Sequence, residues 1–547
     1  MKIIIIGAVA AGTSAAAKAR RNSEDEEIII YEKDSFISYS GCGMPYYIGD
    51  EVVNAGLLTP RDSAFFKSKY NVEIQTQHEV LAIHPNAKSV DVKNLLTGEV
   101  FTDTYDTLVV ATGARAMIPP IKGTENKHVF TLRNIGDMNR IKFFLNENSP
   151  KSAAIIGSGF IGLEVCENLK KLGIDVTLIE RLPQVTPGLD SDMAIYVKDE
   201  IQRKGVAVHV DASAVEITDS DVILADGTVI RADMVLISAG VRPNTELAAA
   251  AGIALGASGA IRVNTLMQTN MESIYACGDC TEQYHLVTRK TVYRPLGSTA
   301  NKMGRIAGDV ITGGNSEFRG ILGTGIFRIF DMTVAQTGLS EREAHELGYD
   351  VAVCHNIKPN KPEYMGGKEM IIKGVADKSD GRLLGVQIVG EEGVDKRIDV
   401  FATAITYKAK VEDLFHLDLA YAPPFSTTKD PVMYTGMILD NAIHRSRPLM
   451  TAQDLDALMQ SNEKYTLIDA RVAAQYENNH IETAESIPHA ELRTAAEALD
   501  KEAVAITYCN KGTTGNAAQN ILLGRGFKKV YNLSGGHKQH SKMHGGK

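Results

Sequence analysis

Residues 2–21 read KIIIIGAVAAGTSAAAKARR: an apolar run, a glycine turn and an alanine-rich, basic stretch. Four consecutive isoleucines predict a strand buried on both faces, and the alanines predict a helix that packs closely on it. Gly7 permits the tight bend between them and Gly12 the close approach of helix to strand. The first helical amides are then free to cradle a pyrophosphate. Val9 replaces the usual middle glycine, and Ala10 and Ala11 complete the turn. The next strand, EEIIIYEKD at 26–34, ends in Glu32, whose carboxylate can accept both hydroxyls of a ribose. The same order returns at 151–182, KSAAIIGSGFIGLEVCENLKKLGIDVTLIERL. Here all three glycines are present, Gly157, Gly159 and Gly162, with Phe160 and Ile161 between the last two. Glu164 lies in the helix and Glu180 ends the second strand. Two such openings predict two bound dinucleotides. Glu180 favours a free 2′-hydroxyl and hence NADH, while Arg181 beside it leaves NADPH possible.

Working outward, YDTLVVATGARAMIPP (105–120) and ADGTVIRADMVLISAGVRPNTEL (225–247) are apolar strands that end in glycine turns, at Ala111, Thr112 and Gly113 and at Gly240. They read as crossings between two nucleotide domains. IFRIFDMTVAQTGL (326–339) and GRLLGVQIVG (381–390) alternate apolar and polar positions and predict an antiparallel sheet. IHRSRPLMT (443–451) reads as a linker to a small α/β domain, and the tail KQHSKMHGGK reads as frayed. The length of 547 residues agrees with three to four domains of about 150 residues each. With 44% apolar and 23% charged residues, the composition is that of a folded globular chain. A net charge of -9 argues against nucleic acid or anionic membranes as partners. No apolar run reaches the roughly 18 residues of a membrane span, so the expected location is cytoplasmic. The apolar opening after Lys2 imitates a secretion signal, but the first turn needs those same residues.

The six cysteines are too scattered for a disulfide framework and predict a reducing compartment. Cys42 lies in SYSGCGMPYYIG (38–49), at the start of an expected helix whose amide dipoles would lower a thiol pKa. It is the redox candidate. Cys277 and Cys280 form a C-x-x-C within IYACGDC (274–280), which also carries Gly278 and Asp279. No second pair of ligands accompanies them, so no metal site is read. Cys166 and Cys354 read as packing thiols.

ATG at 111–113 and GD at 278–279 resemble the remaining signatures of the two-dinucleotide flavoprotein disulfide reductases. The resemblance implies an α/β protein with two Rossmann-like nucleotide domains, an α+β dimerisation domain and a C-terminal α/β domain. It implies FAD on the first turn and Asp279 on the flavin ribitol, with Lys33, Val80 and Arg133 also at the cofactor. The expected segments are 1–112 and 245–325 for FAD, 113–244 for NAD(P)H, 326–445 for dimerisation and 451–547 for the last domain. Dithiol members carry a second cysteine five positions on, where this chain has Tyr47. Cys42 must therefore pair with sulfur from outside.

With YRPLGSTANKMGR (293–305) and DLAYAPPFSTTKDP (418–431), residues 1 to about 445 resemble the coenzyme A disulfide reductases, homodimers related to NADH oxidases and peroxidases. This implies CoA contacts at Ser14, Lys18, Arg21, Ser38 and Lys429, with Tyr364 and Tyr421 reaching in from the other subunit. Gly41 replaces the Asn common before the redox cysteine.

The order LIDAR (467–471), NNHIETAESIPHAEL (478–492) and ITYCNKGTTGNAAQNILLGRGFKKVYNLSGG (506–536) is similar to the rhodanese fold. That implies a sulfur-carrying Cys509, followed by the loop Asn510, Lys511, Gly512, Thr513, Thr514 and Gly515. Gly515 stands in place of the Arg typical of thiosulfate sulfurtransferases. The combination implies NADH-driven reduction of CoA persulfide, with CoA disulfide and polysulfide as further substrates. The alternatives are a CoA disulfide reductase with a regulatory last domain, a peroxide or oxygen reductase working through a Cys42 sulfenate, and a non-enzymatic redox sensor.

Overall fold

The computed structural model describes residues 1–545. The chain forms two compact units: Met1–Pro183 with Val206–Gly323, and Gln184–Gly205 with the chain from Thr324 onward.

The first unit holds two parallel five-stranded sheets. One has the order Ile274–Ala276, Thr107–Val110, Lys2–Ile6, Glu27–Glu32 and Glu73–Thr76. Its outermost strand comes from far downstream, so the FAD-type sheet is built from two separated stretches of chain. The other has the order Ala207–His209, Asp175–Ile179, Ser152–Ile156, Met234–Ile237 and Val129–Phe130. The glycine turns are dictated by backbone packing. Gly7 has φ +106°, and a Cβ there would lie 2.3 Å from the Ala111 carbonyl oxygen; one on Gly12 would lie 1.9 Å from that of Gly7. The second turn repeats this, with Gly157 against Ser238 at 2.5 Å and Gly162 against Gly157 at 2.3 Å. The helix Ala11–Asn22 is fastened by Arg20, whose buried guanidinium donates to the carbonyls of Tyr70 (2.8 Å), Glu26 (2.5 Å) and Asn71 (3.2 Å).

The second unit holds an antiparallel sheet in the order Gly325–Ile329, Met332–Gly338, Leu383–Gly390, Glu369–Asp377 and Val351–Pro359. It also holds a parallel sheet in the order Leu449–Met450, Val530–Leu533, Val504–Tyr508, Tyr465–Asp469 and Glu485–Ser486. The antiparallel arrangement matches the alternation read from 326–339 and 381–390, but Leu383–Gly390 is buried throughout instead of on one face. Helices cover both faces. Gly374 packs on Thr435 and Leu439 of the helix Pro431–His444. The adjacent Lys373 points to the opposite face, where its Nζ lies 2.8 Å from both Asp192 carboxylate oxygens, on the helix Ser191–Arg203. This explains why residues 184–205, which the sequence reading keeps inside the 113–244 segment, cluster with the second unit.

Around Lys373 lie Asp190 at 3.2 Å and Glu341 at 2.6 Å, while His355 Nε2 meets Asp192 at 2.7 Å. Burial opposes the charge on Lys373, yet Asp192, Asp190 and Glu341 together hold the ammonium above its usual range. Burial likewise opposes the Asp192 carboxylate, and Lys373 and His355 hold it well below the usual carboxylate range. Ser534 Oγ accepts from the His355 amide at 2.7 Å, and Gln539 Nε2 donates to the Asp192 carbonyl at 3.0 Å, so the last domain is fastened to the same cluster. Among the described residues, no helix is long and apolar enough to cross a membrane.

Candidate functional site

In the first unit a cavity of about 630 Å³ is bounded by Gly7, Val9, Ala10 and Ala11 of the first turn and by Glu32 and Lys33 at the end of the second strand. Val80, Ala111, Thr112, Gly113, Arg133, Gly278 and Asp279 close it. Gly12 sits behind this wall, against Gly7. The Glu32 carboxylate is fixed by the amides of Ala8 (2.7 Å) and Asp34 (2.9 Å). Arg133 pairs with Asp279 at 2.7 Å and donates through Nε to the Ala114 carbonyl at 2.9 Å. Sequence reasoning missed Tyr39 and Asn244, which also line the cavity. Asn244 has a reciprocal bond with Thr112, Nδ2 to the carbonyl at 2.9 Å and Oγ1 to the Asn244 carbonyl at 2.7 Å. Tyr39 stands in the Cys42 stretch and Asn244 in the 225–247 crossing, but what brings Asn244 to the cavity is a bond across 132 residues, which leaves no local pattern. A helix N-terminus, a ribose-accepting carboxylate and a second acid facing one cavity form a donor set that fits FAD.

At the second turn a Cβ on Gly159 would meet nothing within 4 Å. The protein's own packing does not require glycine there, whereas a pyrophosphate against the backbone does. Glu180, buried, accepts from Ser158 N (2.9 Å), Ser158 Oγ (2.6 Å) and Leu182 N (2.9 Å), which fixes its carboxylate beside the turn. Phe160, Ile161 and Glu164 lie on the helix Phe160–Lys171, and Gly240 turns the chain at φ +107° after the strand Met234–Ile237. These residues fit NAD(P)H.

Cys42 lies in the 3₁₀ turn Gly41–Gly43, ahead of the five-residue helix Met44–Ile48. The expected lowering of its pKa by helix amides is not found. Burial and then Glu164 push the thiol up, Asp279 adds to this, and Arg133 opposes them. The residue is open to solvent, yet the protein packed around it is enough for burial to be the leading cause of the shift. Arg133 and Asp279, the charges it feels, also line the dinucleotide cavity. Glu164 accepts from the Tyr46 hydroxyl at 3.3 Å. A Cβ on Gly41 would meet only the Met44 terminal methyl, at 3.9 Å, so packing does not demand glycine in place of Asn. Cys166, Cys277, Cys280 and Cys354 are free and buried, and burial raises the thiols of Cys166 and Cys354 to about 12.

Ser14, Lys18 and Arg21 follow one another along the helix Ala11–Asn22, and each has a partner in its own chain. Ser14 Oγ bonds Asn301 at 2.7 Å, Lys18 Nζ pairs with Asp309 at 2.9 Å, and Arg21 lies over the Tyr70 ring, 5.4 Å from its centroid. Ser38 takes φ +47°, with its amide on the Ala8 carbonyl at 2.9 Å. In the second unit Tyr364 is 75% and Tyr421 49% exposed. Lys429 is exposed next to Asp430, whose buried carboxylate pairs with Arg397 at 2.9 Å and fixes that end of the loop.

Cys509 directly follows the strand Val504–Tyr508, and the Gly512 amide donates to its Sγ at 3.2 Å. Gly512 has φ +99°, which bends the loop so that this amide faces the sulfur before the helix Thr513–Gly524 begins. Arg471, from LIDAR, grips Asp469 through two nitrogens and reaches the Asn510 side chain at 3.3 Å, bracing the first loop residue. Gly515 is packed: a Cβ would lie 2.3 Å from Asn532 Oδ1 and 3.3 Å from the Cys509 amide nitrogen. Glycine, standing where the resemblance expects Arg, thus lets Asn532 and the backbone before Cys509 approach the loop closely. Sequence reasoning also missed Lys358 and Glu369, which come from distant strands. Lys358 lies 3.4 Å from Thr513 Oγ1 and interacts electrostatically with Cys509 and Lys511. Glu369 pairs with Lys511 and Lys538.

The model of the pyridine nucleotide-disulphide oxidoreductase family matches residues 1–295, that of its dimerisation domain 326–431, and that of the rhodanese-like domain 451–542. The chain is 34% identical over 436 residues to coenzyme A disulfide reductase of Staphylococcus haemolyticus, covering 80% of this chain and 98% of the relative. It is 36% identical over 449 residues to NAD(P)H sulfur oxidoreductase (CoA-dependent) of Pyrococcus furiosus, covering 80% and 99%. Two solved structures cover nearly the whole chain. Reduced CoADR-RHD of Bacillus anthracis matches with a TM-score of 0.96 at 37% identity, over 99% of this chain and 98% of the other. The NAD-dependent persulfide reductase of A. fulgidus matches at 0.90 and 35%, over 98% and 100%.

Proposed function

The chain belongs to the pyridine nucleotide-disulphide oxidoreductase family, and on that premise we propose that it uses NADH and FAD to reduce CoA persulfide, releasing hydrogen sulfide and CoA, with CoA disulfide and polysulfide as further substrates. The observation that carries this reading is Cys42, a solvent-open thiol under the field of two residues of the dinucleotide cavity, with Tyr47 where a partner cysteine would stand. A thiol so placed, without a partner in its own motif, must exchange with sulfur from outside. The Cys42 thiolate attacks the outer sulfur of CoA persulfide and expels CoA thiolate, leaving Cys42 as a persulfide. Two electrons and a proton then split that persulfide into hydrosulfide and the Cys42 thiol. Bound flavin supplies those electrons, drawn from NADH.

Arg133 is the cation that favours the attacking thiolate. Ser14, Lys18, Arg21, Ser38 and Lys429 are assigned to CoA, and Tyr364 and Tyr421 of a second subunit to the leaving thiolate. Cys509 accepts sulfane sulfur from another donor and passes it to CoA. The division into FAD segments 1–112 and 245–325, an NAD(P)H segment 113–244, a dimerisation segment 326–445 and a rhodanese-like segment 451–547 belongs to the same reading.

The test is steady-state turnover of NADH or NADPH against CoA persulfide, CoA disulfide, polysulfide, peroxide and oxygen. Multiple turnovers with the sulfur acceptors, kcat/KM highest for CoA persulfide, and NADH preferred over NADPH are expected, because the fixed Glu180 carboxylate repels a 2′-phosphate. Reaction that stops after one equivalent, or peroxide or oxygen as the better acceptor, would overturn the reading.

A further inference from the structure

The last helix, Gly536–Met543, carries His537 and His540, with His544 at its C-cap. Positions four apart share a helix face, and the rings of His540 and His544 stack with centroids 4.1 Å apart. Facing them is Asp456 of the helix Ala452–Met459, its carboxylate 3.1 Å from His544 Nε2 and 3.8 Å from His540 Nε2. The hydrogen bonding of His544 makes this arrangement unusual. Its Nδ1 lies 2.8 Å from the His540 carbonyl oxygen. A carbonyl only accepts, so Nδ1 carries a proton. In the neutral ring Nε2 is then a bare lone pair, aimed at a carboxylate that also offers only lone pairs. A cation has to lie between them: an extra proton or a metal ion.

Three features favour the metal. Two imidazoles and one carboxylate, with ligand atoms all within 4.8 Å of one another, form a donor set suited to zinc and its neighbours. An Nδ1–H bound to a backbone carbonyl is the outer contact that orients metal-ligating histidines. The three groups also face a cavity of about 540 Å³, shared with His480 and His537, which leaves room for a water as fourth ligand. We propose that Asp456, His540 and His544 bind one divalent transition-metal ion of the zinc class. The ion ties the last helix to the helix Ala452–Met459. At its other end that helix holds the Cys509 loop, since the amides of His537 and Lys538 donate to the carbonyls of Cys509 (2.8 Å) and Asn510 (3.0 Å). The site thus braces the sulfur-carrying loop from outside it.

The experiment is calorimetric titration of the full-length holoenzyme with Zn²⁺, after iodoacetamide has blocked Cys42 and Cys509, which would otherwise bind zinc themselves. One ion per chain is expected, with affinity weakened at least about ten-fold in His544→Ala and in Asp456→Asn. His544 is 44% exposed, so its truncation leaves the fold intact, and unchanged FAD content and Tm verify this for both variants. Zinc affinity unchanged in both variants, or no binding at millimolar zinc, would overturn the proposal and assign the gap to an imidazolium–carboxylate pair.

Discussion

The Cys42 thiol sits among groups that mostly disfavour its ionised form, with burial and Glu164 on one side and Arg133 on the other. Burial and Glu164 raise the pKa of this thiol, and Arg133 is the group that works against them. Cys509 has a different environment. The Gly512 amide points at its sulfur, and Lys358 reaches it electrostatically from the strand Val351–Pro359. Lys358→Met should slow alkylation of Cys509 by iodoacetamide, measured at fixed pH in a Cys42→Ser background, by about three-fold. That is the effect of losing a partly solvated charge interaction of roughly 0.6 kcal/mol. An unchanged or faster rate would remove Lys358 from the site.

At the scale of elements, the buried cluster joining the helix Ser191–Arg203 to the antiparallel sheet concentrates cost and stability. Lys373→Met leaves Asp192, Asp190 and Glu341 without their cation and should destabilise the second unit by about 3–5 kcal/mol, seen as a lower urea midpoint. The pH window follows from the two shifts. Asp192 is depressed, so its contribution is present above its unfolded pKa of about 3.9 and is lost as pH falls through the folded value. Lys373 is raised, so its contribution is present below its unfolded pKa of about 10.4 and is lost as pH rises through the folded value. Stability of the variant should accordingly depend less on pH at both ends; an unaltered midpoint and profile would contradict the assignment.

This cluster also shows which parts of the molecule could be read from sequence. The two glycine turns were legible because Gly7, Gly12, Gly157 and Gly162 are fixed by contacts between neighbouring backbone segments, which leave a local pattern. The move of residues 184–205 to the second unit was not, because it rests on Asp192 meeting Lys373 across 181 residues. Lys358 at Cys509 and Asp456 at His544 were hidden for the same reason. Cys42 was legible as a position, but its electrostatics were not, since Glu164, Arg133 and Asp279 come from three other elements of the first unit.

For the whole molecule, the dimerisation-domain match supports a homodimer, and the proposed function assigns Tyr364 and Tyr421 to a site completed by the second subunit. The Tyr364→Phe/Tyr421→Phe double variant should stay dimeric, with normal flavin reduction by NADH, yet lose most CoA persulfide turnover; a fully active monomeric wild type would refute the shared site. The central claim, that Cys42 is the thiol linking flavin to substrate sulfur, is tested most directly by NADH-driven sulfide release from CoA persulfide in Cys42→Ser and Cys509→Ser. Cys42→Ser should bind FAD and accept hydride from NADH but release almost no sulfide, whereas Cys509→Ser should keep CoA persulfide turnover and lose reduction of sulfur that must first be loaded from another donor. Sulfide release by Cys42→Ser at a rate comparable to wild type would contradict the account.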